Sequence, residues 1–338
     1  MASEYVFKKA VPGLARTGAG APRTRARCIV IRFLLAAFAL TAFAPEAMAG
    51  VADLHADAPW WAWPLALFLT CFLLGIIAVP AGVGGGVLFV PIVSGFFPFH
   101  LDFVRGAGLL VALAGALAAG PRLLQGGLAD LRLALPLALV ASASSIGGAL
   151  LGLALPTSAL HVALGLTILA IAALMASVKN SEFPNVPSPD RLSEMLGLHG
   201  IFRDGASGRE VAWQAHRTPM GLALFVGIGV LAGLFGLGAG WANLPALNLV
   251  MGVPLKVSAG TSSFILSLVD SSAAWIYVNQ GAVLPMIAAP AVIGMMLGAR
   301  IGARLLHVVR AKVIRRLVLA MLTVAGLRAL AKGTGVWT

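Results

Sequence analysis

The residues of this chain best suited to chemistry are polar groups set inside long apolar stretches. Asp270 lies near the middle of one such stretch, with Ser267, Ser271 and Ser272 beside it. In a bilayer an acid at that depth costs about 3 kcal/mol on insertion scales and ordinarily faces a cavity or a partner. Two roles follow for it: carrying a proton together with a solute, or being held by the neighbouring serines. Ser258, Thr261, Ser262 and Ser263 open the same stretch. Such hydroxyls could coordinate the oxygens of an anion, and each can also bond its own helix backbone. Arg105 begins another apolar stretch, as counter-charge for an anion or as an arginine snorkelling to the membrane surface. The six histidines form no pair with metal-ligand spacing, and Cys28 and Cys71 form no metal or redox motif. No metal or cofactor is expected.

Asn243 stands within a more informative pattern, a glycine-rich decapeptide that occurs twice. Gly82-Val-Gly84-Gly85-Gly86-Val-Leu-Phe-Val-Pro91 returns as Gly236-Leu-Gly238-Ala-Gly240-Trp-Ala-Asn243-Leu-Pro245. The same offset relates Gly75 to Gly229, Gly127 to Gly281, Pro136 to Pro290 and Gly148 to Gly302. The duplicated unit is therefore a half-protein. Each interior glycine costs a helix about 1 kcal/mol relative to alanine, so several in succession with a proline following should break one. Broken backbone in hydrocarbon is tolerated only where it is buried in protein or lines a wet cavity. Free N–H groups at the start of the next helix suit an anion, and glycines let it approach the backbone. Gly82, Gly84, Gly85, Gly86 and Pro91 with Gly236, Gly238, Gly240, Asn243 and Pro245 are thus candidate substrate-binding positions, together with Thr261 and Ser262. Asp270 is the candidate proton-coupling residue. Close packing of membrane helices is the competing use of glycine.

Composition places these elements in a membrane. Of 338 residues 59% are hydrophobic and 11% charged, against about 25% charged in soluble domains. The net charge of +12 does not mark a nucleic-acid binder, because seven Lys/Arg precede Phe33 and seven lie from Arg304 onward. Basic clusters at the ends of apolar segments mark cytoplasmic loops.

The expected fold is all-α and polytopic, with two homologous halves. Residues 1–49 form a basic segment followed by a signal peptide or signal-anchor helix, since Phe33 to Ala44 is apolar and Ala47-Met48-Ala49 ends it. Residues 60–178 make the first transmembrane repeat, 179–217 a polar cytoplasmic linker and 218–331 the second repeat. The blocks opening at Gly84 and Gly240 are short for a span, so each crosses as a half-helix or turns back. If they cross, the halves are inverted, and Arg122, Arg132, the linker, Lys256 and the Arg304–Arg316 cluster share one side. Arg105, Arg328 and Lys332 are then misfits. If they turn back, the halves are parallel. Lys/Arg bias favours the inverted arrangement, with the glycine-led helices meeting near the midplane.

The order of these pieces resembles the sulfite exporter TauE/SafE family. The resemblance rests on Gly82-Val-Gly-Gly-Gly86 with Pro91 following, Val257-Ser-Ala-Gly-Thr-Ser-Ser263 after the second motif, and Gly294, Gly298 and Gly302 spaced by four. It spans about residues 60 to 331. It implies a multi-pass carrier of the cell (inner) membrane for sulfite, sulfonates or related sulfur-containing anions. The second copy departs from the first at Ala239, Trp241 and Asn243, so the two halves need not contribute equally.

The expected function is therefore secondary transport of a small anion, with a proton as candidate coupling ion and the lipid bilayer as surroundings. A homo-oligomer is compatible with the sequence, which does not fix it. A non-transporting scaffold or assembly protein would explain the glycines but neither the duplicated breaks nor Asp270. A membrane enzyme would require a convergent set such as H-E-x-x-H, which is absent. No G-x-x-x-x-G-K-[ST] loop is present for direct ATP drive.

Overall fold

The computed structural model describes residues 61–81, 85–125, 129–177, 184, 186, 188–203, 210–305 and 311–335. The expected leader within 1–49 lies outside them, as do Gly82 and Gly84. The first half contains α1 (Ala62–Ala81), α2 (Gly85–Phe96), α3 (Leu101–Gln125), α4 (Leu131–Ala154) and α5 (Thr157–Ser177). A short helix, α6 (Arg191–Leu196), and a hairpin of β1 (His199–Arg203) and β2 (Glu210–Gln214) follow. The second half contains α7 (Thr218–Phe235), α8 (Gly240–Pro245) running into a π turn (Ala246–Val250), α9 (Leu255–Asn279), α10 (Pro285–Leu305) and α11 (Ala311–Gly333). The sequence offset carries through to the elements: α3 and α9 start and stop at corresponding residues.

By length and composition five described helices can cross a membrane: Leu101–Ala118, Leu131–Ala154, Thr157–Ser177, Thr218–Phe235 and Pro285–Gly302. The helix α2 has 12 residues, which rise about 18 Å, little more than half of a hydrocarbon core of about 30 Å. Pro91 lies inside α2, and Pro245 closes α8 before the π turn. Neither proline therefore makes a break; in the second copy the glycines before Pro245 do.

The halves interlock. Helix α1 packs along α10, with Gly294 against Cys71 and Phe72, Gly298 against Phe72 and Gly75, and Gly302 against Gly75 and Ile76. Contact positions rise together, so these helices run parallel. Their counterparts α7 and α4 repeat the seam in parallel, through Gly229 against Ala141 and Ser144 and Gly233 against Ser145 and Ala149. Helices that are each other's counterparts run antiparallel. In α3 and α9, Gly106 is level with Tyr277, whereas Ala112 and Asp270 meet at Gly238; in α5 and α11, Val162 meets Gly333 and Leu169 meets Gly326. Glycine lets two helix backbones approach closely, which supplies the dispersion contacts that hold membrane helices together.

The linker is not a loose polar string. Leu198, Phe202, Trp213 and Ala215 are buried in one core with Leu133, Leu137 and Ala141 of α4, Phe225 of α7 and Val257 of α9. Asp190 Oδ1 accepts from the N–H and hydroxyl of Thr218, the first residue of α7, and so satisfies a helix-start donor. Ser193 Oγ donates to Ala215 O, and the His216 N–H donates to Met251 O.

Candidate functional site

The second glycine motif forms a real interruption. Helix α7 ends at Phe235, and Gly236 (φ 66°) closes it in the left-handed conformation, its N–H donating to Ala232 O. This is the usual glycine stop of a helix. Gly238 (φ 72°) is left-handed as well, and α8 restarts at Gly240. The interruption frees carbonyls of the last turn of α7, and buried side chains take them up. Tyr277 Oη donates to Gly233 O at 3.0 Å, and Arg105 donates through Nη1 to Leu234 O at 2.8 Å.

Arg105 is fully buried rather than snorkelling. Besides Leu234 O it donates to Gly152 O at 3.0 Å and to the Asp102 carboxylate, and its guanidinium sits 5.6 Å from the Tyr277 ring centre. Gly152 and Leu234 lie at the C-terminal ends of α4 and α7, whose dipoles favour a cation. One arginine thus holds the ends of two helices from different halves. Arg328 lies over the Phe96 ring, and Lys332 donates to Ser94 O. All three charges that fitted the loop rule poorly are engaged by the protein and are not free loop charges.

The two glycine motifs touch. A Cβ on Gly86 would lie 2.6 Å from Leu237 O, inside the second break, and 3.0 Å from Gly108 O. Gly85 faces the flexible end of Met295. Gly85 and Gly86 of the first copy therefore present a close-packed wall. Phe89 and Val87, which correspond to Asn243 and Trp241, are buried in apolar core.

The second copy presents unpaired polar groups. The Asp270 carboxylate lies against the backbone of Gly238 and Ala239, with Oδ2 3.0 Å from where a Gly238 Cβ would stand. Both Asp270 oxygens, both polar atoms of the Asn243 side chain and Trp241 Nε1 are buried without a hydrogen-bond partner. Asp270 and Asn243 are wholly inaccessible, and Asn243 N–H donates to Ala239 O, so both residues flank the same turn. Buried polar groups are normally paired. Five such unpaired atoms fall at or beside this one break.

The hydroxyls proposed for this role are elsewhere. Thr261 Oγ1 accepts from Asp130 N–H, and Ser258 Oγ donates to Val253 O. Thr261 and Ser262 lie two turns or more along α9 from Asp270, about 12–14 Å. Ser267, Ser271 and Ser272 bond carbonyls of their own helix and not Asp270. Tyr277, Asp102 and Gly108 were missed by sequence reasoning. Asp102 and Arg105 stand at helical i, i+3 spacing, a readable signal, whereas a single tyrosine late in an apolar stretch carries no comparable one.

A sequence profile described as "Sulfite exporter TauE/SafE" matches residues 66–329. The chain belongs to this family. Among curated relatives, the "Probable membrane transporter protein ORF9" of Sinorhizobium sp is 27% identical over 270 residues, 79% of this chain and 92% of that protein. The "Probable membrane transporter protein YunE" of Bacillus subtilis (strain 168) is 28% identical over 137 residues, 40% of this chain. The chain thus spans about half (50%) of the length of YunE. No solved structure matches. This TauE/SafE member is a multi-pass membrane transporter, not an enzyme, and its surroundings are lipid and a small-molecule substrate.

Proposed function

We propose that this TauE/SafE protein is a secondary carrier of the cell (inner) membrane that moves small anions, with sulfite, organosulfonates or related sulfur-containing anions as substrates. The observation that carries the reading is the unpaired buried side-chain atoms of Asp270 and Asn243 beside the Gly238–Ala239 turn, with the buried Trp241 Nε1 on the same short helix α8. Asn243 Nδ2, Trp241 Nε1 and the backbone N–H groups of the break supply donors for anion oxygens. Gly86 and Gly108 supply the side-chain-free wall that lets the break sit close. A buried carboxylate without a partner is costly, which suits Asp270 to taking and releasing a proton as the solute passes.

In this reading the halves are inverted and the linker is cytoplasmic. The antiparallel packing of α3 with α9 and of α5 with α11 supports inversion, because an in-plane two-fold axis reverses counterpart helices. Uptake by proteoliposomes of sulfite, sulfate, thiosulfate and a set of organosulfonates tests the function. Uptake of at least one, reduced about tenfold by Asn243→Ala through loss of a buried donor, is expected. Uptake of none, or an Asn243→Ala variant equal to the parent, overturns it.

A further inference from the structure

The unpaired atoms at the break are of both kinds. Asn243 Nδ2 and Trp241 Nε1 are donors, whereas Asn243 Oδ1 and the two Asp270 oxygens are acceptors. A plain anion satisfies the donors only. It would also bring a negative charge into the site that holds the Asp270 carboxylate.

Among the described residues no charge resolves this. The elements packed on α9 are α3, α4, α7, α8 and the π turn. Their described sequences, with that of α9, hold few charged or titratable groups besides Asp270: Asp102, Arg105 and Arg122 on α3, Arg132 on α4, and Lys256 and Tyr277 on α9 itself. Arg105 is committed to Asp102, Leu234 O and Gly152 O at the level of Tyr277, two turns from Asp270. Arg132 is exposed near the start of α4, and Lys256 is fourteen positions before Asp270, about 21 Å along α9. The helices α7 and α8 and the π turn carry none. Among the described residues Asp270 has no ion pair.

Resting on the proposed function of this break, we infer that the site is built for solutes with an oxyanion at one end and an ammonium at the other. The oxyanion takes the donors of Asn243, Trp241 and the backbone, and the ammonium faces Asp270. A zwitterion of this kind brings its own positive charge and needs no proton. A sulfonate with an apolar tail leaves the carboxylate unmatched, so it enters only with a proton on Asp270. The charge of the solute therefore decides whether transport is proton-dependent.

Two probes of nearly equal shape separate these cases: 2-aminoethanesulfonate and propane-1-sulfonate, each taken up by proteoliposomes holding the full chain. From an acid pH to a more alkaline one, uptake of propane-1-sulfonate should fall about tenfold or more while that of 2-aminoethanesulfonate stays level as long as its ammonium remains charged. Asp270→Asn should carry propane-1-sulfonate equally at both pH values and lose about tenfold or more in affinity for 2-aminoethanesulfonate, through loss of a charge-assisted bond. The same pH profile for both probes in the parent protein, which needs no variant to fold, overturns the inference and leaves the carrier reading standing. So does an equal loss of both in Asp270→Asn. Failure of the parent to move either probe, or any sulfur anion, removes the carrier reading and this inference with it.

Discussion

Gly85 and Gly86 are neighbours with opposite tolerance for a side chain. A methyl on Gly86 would press on the carbonyls of Leu237 and Gly108, both backbone, whereas one on Gly85 meets only the Met295 side chain, which can move. Gly86→Ala should therefore destabilise the protein by about 2 kcal/mol or more and Gly85→Ala by about 1 kcal/mol or less, read as melting shifts in detergent. Gly238 is constrained twice, by its left-handed φ and by Ala112 and Asp270 beside it, so bulky replacements there probe folding, and Asn243 and Asp270 are the cleaner tests of the site. Arg105→Met leaves Asp102 with only His100 beside it and removes the guanidinium from the Gly152 and Leu234 carbonyls, at a cost of about 3 kcal/mol. Tyr277→Phe removes a single neutral bond, about 1 kcal/mol. Equal melting of these two variants would contradict the keystone role of Arg105. Asn243 and Asp270 were legible because they are polar residues in apolar surroundings. The partner of Thr261 was not legible, because the Asp130 N–H reaches it through a tertiary contact that spacing does not report.

Among the elements, the long apolar helices were legible from composition and the short ones from their glycines. The 154-residue offset (82 to 236) reappears in the bounds of α3 and α9. The prolines pointed in the wrong place, since each is accommodated within or at the end of a helix. The linker was the least legible stretch. Its strands are five residues each, and the buried Leu198, Phe202 and Trp213 are spaced among charges that hide any period. Its attachment to α7 is testable, because Asp190 meets both the N–H and the hydroxyl of Thr218. Asp190→Ala should cost about 1 kcal/mol and speed amide exchange over the first turn of α7. Unchanged exchange there would mean that the contact does not hold the linker to the bundle.

For the molecule as a whole, the inverted reading places the linker on the cytoplasmic side. A single cysteine at exposed Met195, in a Cys71→Ser, Cys28→Ser background, should be labelled from the cytoplasm by an impermeant maleimide and not from outside. Labelling from outside would favour parallel halves. The duplication was legible in the sequence, but its interlocking was not, since repeats reveal kinship and leave unsaid whether each half packs on itself or on the other. Here each packs on the other: Gly75 finds Gly298, and Gly148 finds the backbone of Val230. That has a consequence for how the chain is made. As it leaves the ribosome, α1 must wait in the membrane for α10, with most of the sequence still to be translated. Long-range pairing of this kind slows folding. Until the second half arrives, the glycine faces of the first have only lipid, or another copy of the chain, to meet. A gene cut within the linker should therefore yield two fragments that survive when expressed together and are degraded when expressed apart.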